Sequence, residues 1–327
     1  MTLRWGILGP GGIARAQTHD LIAAGIEVTA VGSRRQESAD AFAAEFGIAR
    51  AHGSYEALVA DDEVDVVYIA TPHPFHAAGA ILALNAGKHV LVEKSFTLNA
   101  AEALQVVELA EQRGLVVLEA MWTRFLPHML RIRELVAAGA IGDVHTLIAD
   151  HTQKLPADPA HRLQDPALGG GALLDLGIYP VSFAHDLFGE PTGVQASATF
   201  TATGVDQQTA MILEFGDRRA VLHTALDTQG PNTASIIGTG GYIAIDGVWY
   251  TPTSFTLYDS ADAVVERYES PASESRGMQF QALELERLVA EGATAGTILP
   301  PRESVAIMRT MDDIRSAIGL VYPSERL

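Results

Sequence analysis

Residues 3–24 read LRWGILGPGGIARAQTHDLIAA, and this stretch decides how the first part of the chain folds. LRWGIL is a short apolar run with the length of a strand buried on both faces. GPGGIA then sets Gly9, Gly11 and Ala14 in the spacing G-x-G-x-x-A, and IARAQTHDLIAA continues with the composition of a helix. Gly9 permits the tight turn, Gly11 lets the backbone approach a pyrophosphate, and Ala14 lets the helix pack on the strand with its amino end toward the negative charge. Gly12 and Ile13 complete this candidate cofactor-binding turn. A glycine-rich turn with no ligand would look the same in isolation. Its place behind an apolar strand and ahead of a helix favours dinucleotide binding.

Outward from that turn the rhythm repeats. EVTAVG, VDVVYIA, HVLVE and LVVLEA read as buried strands, and SADAFAAEF, FHAAGAILALNAG and NAAEALQVVELAEQRG as the helices between them. Strand and helix in alternation imply right-handed crossovers and a doubly wound parallel sheet. After about residue 120 the pattern changes. PHMLRIRELVAAG and ALLDLGIYPVSFAHDLFG read as helices, residues 194–268 as antiparallel strands, and MQFQALELERLVAEG and RESVAIMRTMDDIRSAIG as closing helices, with Pro301 at a helix start. The expected architecture is α/β: residues 1–122 a dinucleotide-binding domain, and residues 123–327 a substrate-binding and oligomerisation domain with an open, mainly antiparallel sheet. A cleft is expected between the two.

The 327 residues are 48% apolar and 19% charged, enough for two cores. A formal net charge of −18 makes nucleic acid and anionic membranes repulsive partners. The absence of cysteine excludes disulfides and thiolate chemistry. MTLRWGILG does not read as a signal peptide, and no run of eighteen uncharged apolar residues stands out, so a cytoplasmic protein is expected.

The end of the second strand bears on cofactor choice. A carboxylate there would bind a ribose 2′-hydroxyl, whereas VGSRRQ offers Ser33, Arg34 and Arg35, which suit a 2′-phosphate. NADP is expected, with NAD as the other choice; a solvated helix start is the plainer alternative, and the planar Arg34 group also suits stacking on adenine. Beyond the carboxyl ends of the later strands, where the cofactor would lie, come Thr71, Pro72 and His76 in TPHPFH, with His73 nearby, and then Glu93 and Lys94 in VEK. Thr71, Pro72, His76, Glu93 and Lys94 are expected to contact the cofactor. Spacing alone leaves Lys94 a surface charge and His76 a packed or capping histidine. No compact set of metal ligands appears, so no metal is expected.

The second domain carries GGGALLDLGIYP, residues 169–180, with Asp175 and Tyr179 four positions apart. Together with GxGxxA, TPxxxH, VEK and EAMWTRFLP, this motif resembles the glucose-fructose oxidoreductase, inositol dehydrogenase and MocA family. GVWYTPTSFTLY and the ending LPPRESVAIMRTMDDIRSAIGLVYPSE extend the likeness to its dimeric dihydrodiol dehydrogenase and NADP-dependent D-xylose dehydrogenase branch. The resemblance implies a Rossmann domain followed by an α/β domain, hydride transfer between nicotinamide and a sugar, polyol or cyclic diol, and a homodimer or higher oligomer through the second sheet. It also implies roles. Tyr179 is the acid and base, assisted by Lys94; Asp175 joins them; Arg162 lies near cofactor or substrate; Trp122 and Arg124 line the cleft; the glycines bring backbone close to the nicotinamide. Other members suggest two different readings, a dinucleotide-binding sensor without turnover and a nicotinamide-dependent glycosidase.

A free tyrosine titrates near 10, so at neutral pH only about one in a thousand is phenolate, a handicap of roughly 4 kcal/mol for proton abstraction. An ammonium within about 4–6 Å removes about one to three units of that. Members of the family usually read Glu-Lys-Pro, and this chain has Ser95 in place of the proline. Without proline to fix the backbone, the loop after Lys94 is expected to be more mobile.

Overall fold

In a computed structural model of the chain, which describes residues 3–272 and 275–325, the opening stretch forms β1 (Arg4–Leu8), a turn, and α1 (Gly12–Ala23). The alternation continues through β2 (Glu27–Gly32), α2 (Gln36–Phe46), β3 (Arg50–His52), α3 (Tyr55–Val59), β4 (Val66–Ile69), α4 (His76–Asn85), β5 (His89–Glu93), α5 (Ala100–Arg113) and β6 (Val117–Ala120). The six strands are parallel in the order β3-β2-β1-β4-β5-β6, with crossovers in opposite directions on either side of β1 and β4. Every residue of β4 and β6 is buried, which explains their unbroken apolar runs. The helix ends follow local chemistry. Asn99 caps α5 by accepting from the Glu102 amide at 3.0 Å, while Glu102 Oε2 accepts from the Leu98 amide at 3.1 Å.

The chain divides into two compact units, and the boundary after Trp122 is only half of the division. Residues 275–308 belong with the first unit, although the sequence reading assigned everything from 123 to 327 to the second. The reason is polar and buried. Trp5 Nε1 donates to Glu286 Oε1 (3.0 Å), Gln281 Nε2 to Gln17 Oε1 (2.9 Å), and the Met278 amide to Asp20 Oδ2 (3.0 Å). Gln17 and Asp20 are thus buried on α1 for partners more than 250 positions away, a pairing no local periodicity reveals.

The second unit begins with α6 (Pro127–Ala137) and β7 (Val144–Thr152), followed after a long loop by α7 (Ile178–Phe188). The strands β8 (Gly193–Phe200), β9 (Asp206–Phe215), β10 (Arg218–Ala225), β11 (Ala234–Gly238), β12 (Gly241–Ile245), β13 (Phe255–Asp259) and β14 (Val264–Tyr268) come next. They form an eight-stranded sheet in the order β14-β13-β12-β11-β7-β10-β9-β8, antiparallel except where β7 meets β10. One face, with Leu147, Ala149, Leu222 and Leu213, is buried beneath α7 and the turn before it. The opposite face leaves Ile148 48%, Val221 44% and Ile212 39% exposed, the period-two alternation of a sheet covered on one side. Last come α8 (Gln279–Glu291), in the first unit, and α9 (Pro301–Ile318), which has Pro301 at its first position.

By length and composition alone the stretch Pro166–Phe188 is long and apolar enough to cross a membrane, although Asp175 and Asp186 interrupt it. It is core, with 89% of its most apolar window buried.

Candidate active site

In the first unit, Gly9 (φ +94°) makes the turn at the point where the strand order reverses. A Cβ there would lie 3.3 Å from the Ala70 carbonyl and the Thr71 methyl, so β1 and β4 come this close only with glycine. Gly11 and Gly12 face open space on their Cβ side. The start of α1 has no side-chain cap and no acid in its first turn, which leaves its amides and positive dipole end available for an anion. Ala14 is fully buried, and Thr71 Oγ1 is a buried hydroxyl without a hydrogen-bond partner among the described residues. These features fit a dinucleotide: amides for the pyrophosphate and an unsatisfied hydroxyl at the switch point.

At the end of β2, Ser33 is buried, its Oγ accepting from the Arg35 amide at 3.3 Å. Arg34 is exposed, its guanidinium carbon 5.9 Å from the Phe75 ring centroid. Phe75, overlooked in the sequence reading, is itself 41% exposed, a large apolar surface beside the residue expected to meet the adenosine end.

Around Lys94 the loops are tightly tied. Glu93 is buried, accepting from Tyr68 Oη on one oxygen and from the Lys94 amide at 3.1 Å on the other. His76 is buried between two carbonyls, Nδ1 at 2.8 Å from Ser95 O and Nε2 at 2.7 Å from Thr71 O. Burial pushes the His76 pKa down to about 4; the carbonyls oppose this, while nearby Lys94 adds to it. His76 therefore lies between the loop after β4 and the loop after β5, and the single N–H of the neutral ring donates to one of the two carbonyls. The Phe96 amide donates to Glu119 Oε1 at 3.1 Å, and Ser304 Oγ to Glu119 Oε2 at 2.7 Å. Ser95 through Leu98 are all buried. In place of a proline, side-chain acceptors hold this loop at two amides, Glu119 at Phe96 and Glu102 at Leu98. Lys94 is half-buried at its start.

In the second unit the segment carrying Asp175 and Tyr179 is not one regular helix. Leu173–Gly177 is a π turn running into α7, so Asp175 lies in the wider turn and Tyr179 in the first turn of α7. Each is only 7% exposed. Arg162 Nη2 binds Asp175 Oδ1 at 3.0 Å, an ion pair the sequence had not linked. Tyr179 stands edge-on to His151, with ring centroids 4.8 Å apart, and 5.4 Å from Tyr250. His151 and Tyr250 stack at 3.6 Å, and Gln153 Nε2 lies 2.9 Å from His151 Nε2 and 3.3 Å from Tyr250 Oη. Burial raises the Tyr250 pKa to about 12, keeping that phenol protonated. Neither His151 nor Tyr250 was singled out from the sequence. Only the motif containing Tyr250, GVWYTP, signalled its importance.

Two expectations change. Arg124 does not line a cleft: it is 2% exposed, donating to Ser182 O at 2.7 Å and pairing with Asp186 Oδ1 at 3.2 Å, so it braces α7 from behind. Gly170 also has a reason internal to the unit. A Cβ there would sit 2.6 Å from the Leu163 carbonyl oxygen and 2.9 Å from that of Asp165, so two backbone segments pack directly. Trp122 is buried at the start of the short helical turn Trp122–Phe125. Among the described residues no group of three or more acids and histidines is arranged to hold a metal ion.

A parallel sheet of order 3-2-1-4-5-6 with a glycine turn at its switch point is the form of a dinucleotide-binding domain, and the second unit presents a buried acid and phenol on one helical segment. Residues 3–121 match the oxidoreductase family with an NAD-binding Rossmann fold, and residues 129–244 the GFO/IDH/MocA C-terminal domain. The trans-1,2-dihydrobenzene-1,2-diol dehydrogenase of Danio rerio is 36% identical, covering 99% of both chains. The D-xylose 1-dehydrogenase (NADP(+)) of Hypocrea jecorina is 35% identical over 98% of this chain and 93% of that protein. Among solved structures, the 3-ketoreductase KijD10 of Actinomadura kijaniata with NADP and TDP-benzene has a TM-score of 0.86 at 26% identity, covering 97% and 98% of the two chains. Aldose-aldose oxidoreductase of Caulobacter crescentus with glycerol gives 0.87 at 25%, covering 97% of each. The chain belongs to the GFO/IDH/MocA family and is an NAD(P)-dependent oxidoreductase acting on hydroxyl-bearing carbons.

Proposed function

We propose that the protein is an NADP-dependent dehydrogenase or reductase of a sugar, polyol or cyclic diol, with Tyr179 as acid and base and Lys94 as its electrostatic partner. The observation that carries this reading is the pair Asp175 and Tyr179, both nearly buried on one helical segment, the acid held by Arg162 and the phenol packed against His151. When bound, the nicotinamide supplies or accepts the hydride.

The chain's own residues do the rest. The amides of the Gly9 to Ala14 turn hold the pyrophosphate, Ser33 and Arg34 meet the 2′-phosphate, and Thr71 and Pro72 orient the cofactor beside the switch point. In the oxidising direction Tyr179 takes the hydroxyl proton, and the Lys94 ammonium stabilises the phenolate this requires. In the reducing direction the neutral phenol donates, and Lys94 polarises the carbonyl. Asp175, charged and fixed by Arg162, accepts from a neighbouring substrate hydroxyl, while Trp122 supplies an apolar wall. The stacked His151 and Tyr250 exclude water from one side of the phenol. The exposed Ile148, Ile212 and Val221 face supports a homo-oligomer formed through the second sheet, testable by light scattering.

The test is a panel of D-xylose, D-glucose, myo-inositol and trans-1,2-dihydrobenzene-1,2-diol assayed with NADP and NAD in parallel, with Tyr179→Phe as control. Turnover of one class with NADP, lost in the variant while NADPH still binds, is the expected result. NADPH binding without turnover of any substrate would instead identify a sensor. Release of a glycosidic leaving group from an aryl glycoside without net NADPH change would identify a glycosidase.

A further inference from the structure

Asp206 is the first residue of β9 and is completely buried, far in sequence from the motif residues. Its Oδ2 accepts from the Leu173 amide at 2.7 Å and from Thr209 Oγ1 at 3.0 Å. Leu173 opens the π turn that carries Asp175, and Ala172 before it offers no side-chain cap. The first amides of a helical segment have no partner within it. Here they are met by a carboxylate 33 positions away, whose negative charge also suits a helix start. Burial pushes Asp206 up to about 6, opposed by the Leu173 amide, the Thr209 hydroxyl, its own amide and that of Ala172.

The glycines fit this anchor. Gly171 has φ +118°, and a Cβ on it would overlap Asp206 Oδ1, so the third glycine leaves room for the carboxylate. Gly170 is held from another direction: its carbonyl accepts from the buried Tyr322 Oη at 2.9 Å. The loop leading into the segment is thereby held both by the final stretch of the chain and by β9.

We infer that Asp206 is a positioning residue: from β9 its carboxylate sets the first turn of the segment that presents Asp175 and Tyr179, and Gly171 exists to admit it. This rests on the reading of Tyr179 as acid and base, and it acts on the reaction only through that segment. Asparagine at 206 keeps the size and can keep both bonds through its one oxygen, but it removes the charge at the helix start and sets an NH2 in the place of Oδ1, toward the amides of Ala172 and of residue 206 itself.

The test is a double-mutant cycle on the full-length enzyme, with kcat measured per NADPH-binding site on the best substrate of the panel. Asp206→Asn is expected to lower kcat by about tenfold to a hundredfold and, because Asp175 sits on the same segment, to raise substrate KM, while NADPH Kd stays within about threefold. In the Tyr179→Phe background the same substitution is expected to change the residual rate by less than about threefold. Thr209→Val, which loosens the carboxylate without unpairing the amides, is expected to lower kcat by about threefold to tenfold. It decides the matter if Asp206→Asn does not fold, and an unchanged kcat in that variant overturns the inference. Equal losses in both backgrounds would make Asp206 merely structural and also overturn it. A fully active Tyr179→Phe enzyme would instead overturn the role of Tyr179 on which the inference rests.

Discussion

His76 offers a quantitative check on how the loops around Lys94 are held. Its ring is buried between the carbonyls of Thr71 and Ser95, and burial depresses its pKa from 6.5 to about 4. Between those values the unfolded chain binds a proton that the folded one does not, so stability rises with pH. The contribution is fully present above about pH 6.5 and is lost progressively as pH falls toward 4. Going from pH 7.5 to pH 5, His76 alone should cost the first unit about 2 kcal/mol. His76→Gln retains an amide donor but cannot titrate. The assay is urea unfolding of both proteins at the two pH values, followed through the first unit's Trp5 and Trp122. Other buried histidines, His128 and His185, titrate alike in both proteins and cancel in the difference. The wild type should lose about 2 kcal/mol more than the variant. Equal losses, or a His76 proton signal titrating near 6.5, would refute the reasoning.

Other expectations follow from particular contacts. Arg124→Met removes a buried partner of Ser182 and Asp186; because Arg133 also pairs with Asp186, the cost should be about 3 kcal/mol, seen as a lowered Tm. Glu119→Ala orphans the Phe96 amide and the Ser304 hydroxyl and should cost about 2–5 kcal/mol in thermal unfolding. Glu119→Gln should cost less, because the Ser304 hydroxyl can turn to accept. Arg34→Ala should raise the KM for NADP by about tenfold or more while the KM for NAD changes by less than about threefold, since only the former carries the 2′-phosphate.

Much of this molecule was legible because its signals are local. β1, the Gly9 to Ala14 turn and α1 follow from an apolar run, a glycine spacing and helical composition within some twenty residues. The strand region 194–268 of the second sheet followed from residue type and the Gly, Asp and Asn between, although β7 of that sheet and the three-residue β3 of the first escaped notice. What could not be read depends on partners distant in sequence. Gln17 and Asp20 are polar residues on a buried helix face, and only α8 explains them. Arg124 has the sequence appearance of a cleft residue, yet its guanidinium meets Ser182 and Asp186 across the fold. The π turn at Leu173–Gly177 leaves the four-residue spacing of Asp175 and Tyr179 unchanged, so nothing in the motif betrays it. His151 stands beside Tyr179 because β7 lies beneath α7, a matter of sheet order.

The most direct measurement is the pH dependence of alcohol oxidation, kcat/KM, in the wild type and in Lys94→Met. If the Lys94 ammonium lowers the pKa of the Tyr179 phenol, the rising limb should move up by about one to three pH units when the charge is removed. A limb that stays where it was, with the rate at high pH unchanged, would show that the lysine has no hold on the proton, and the proposed pairing would be wrong.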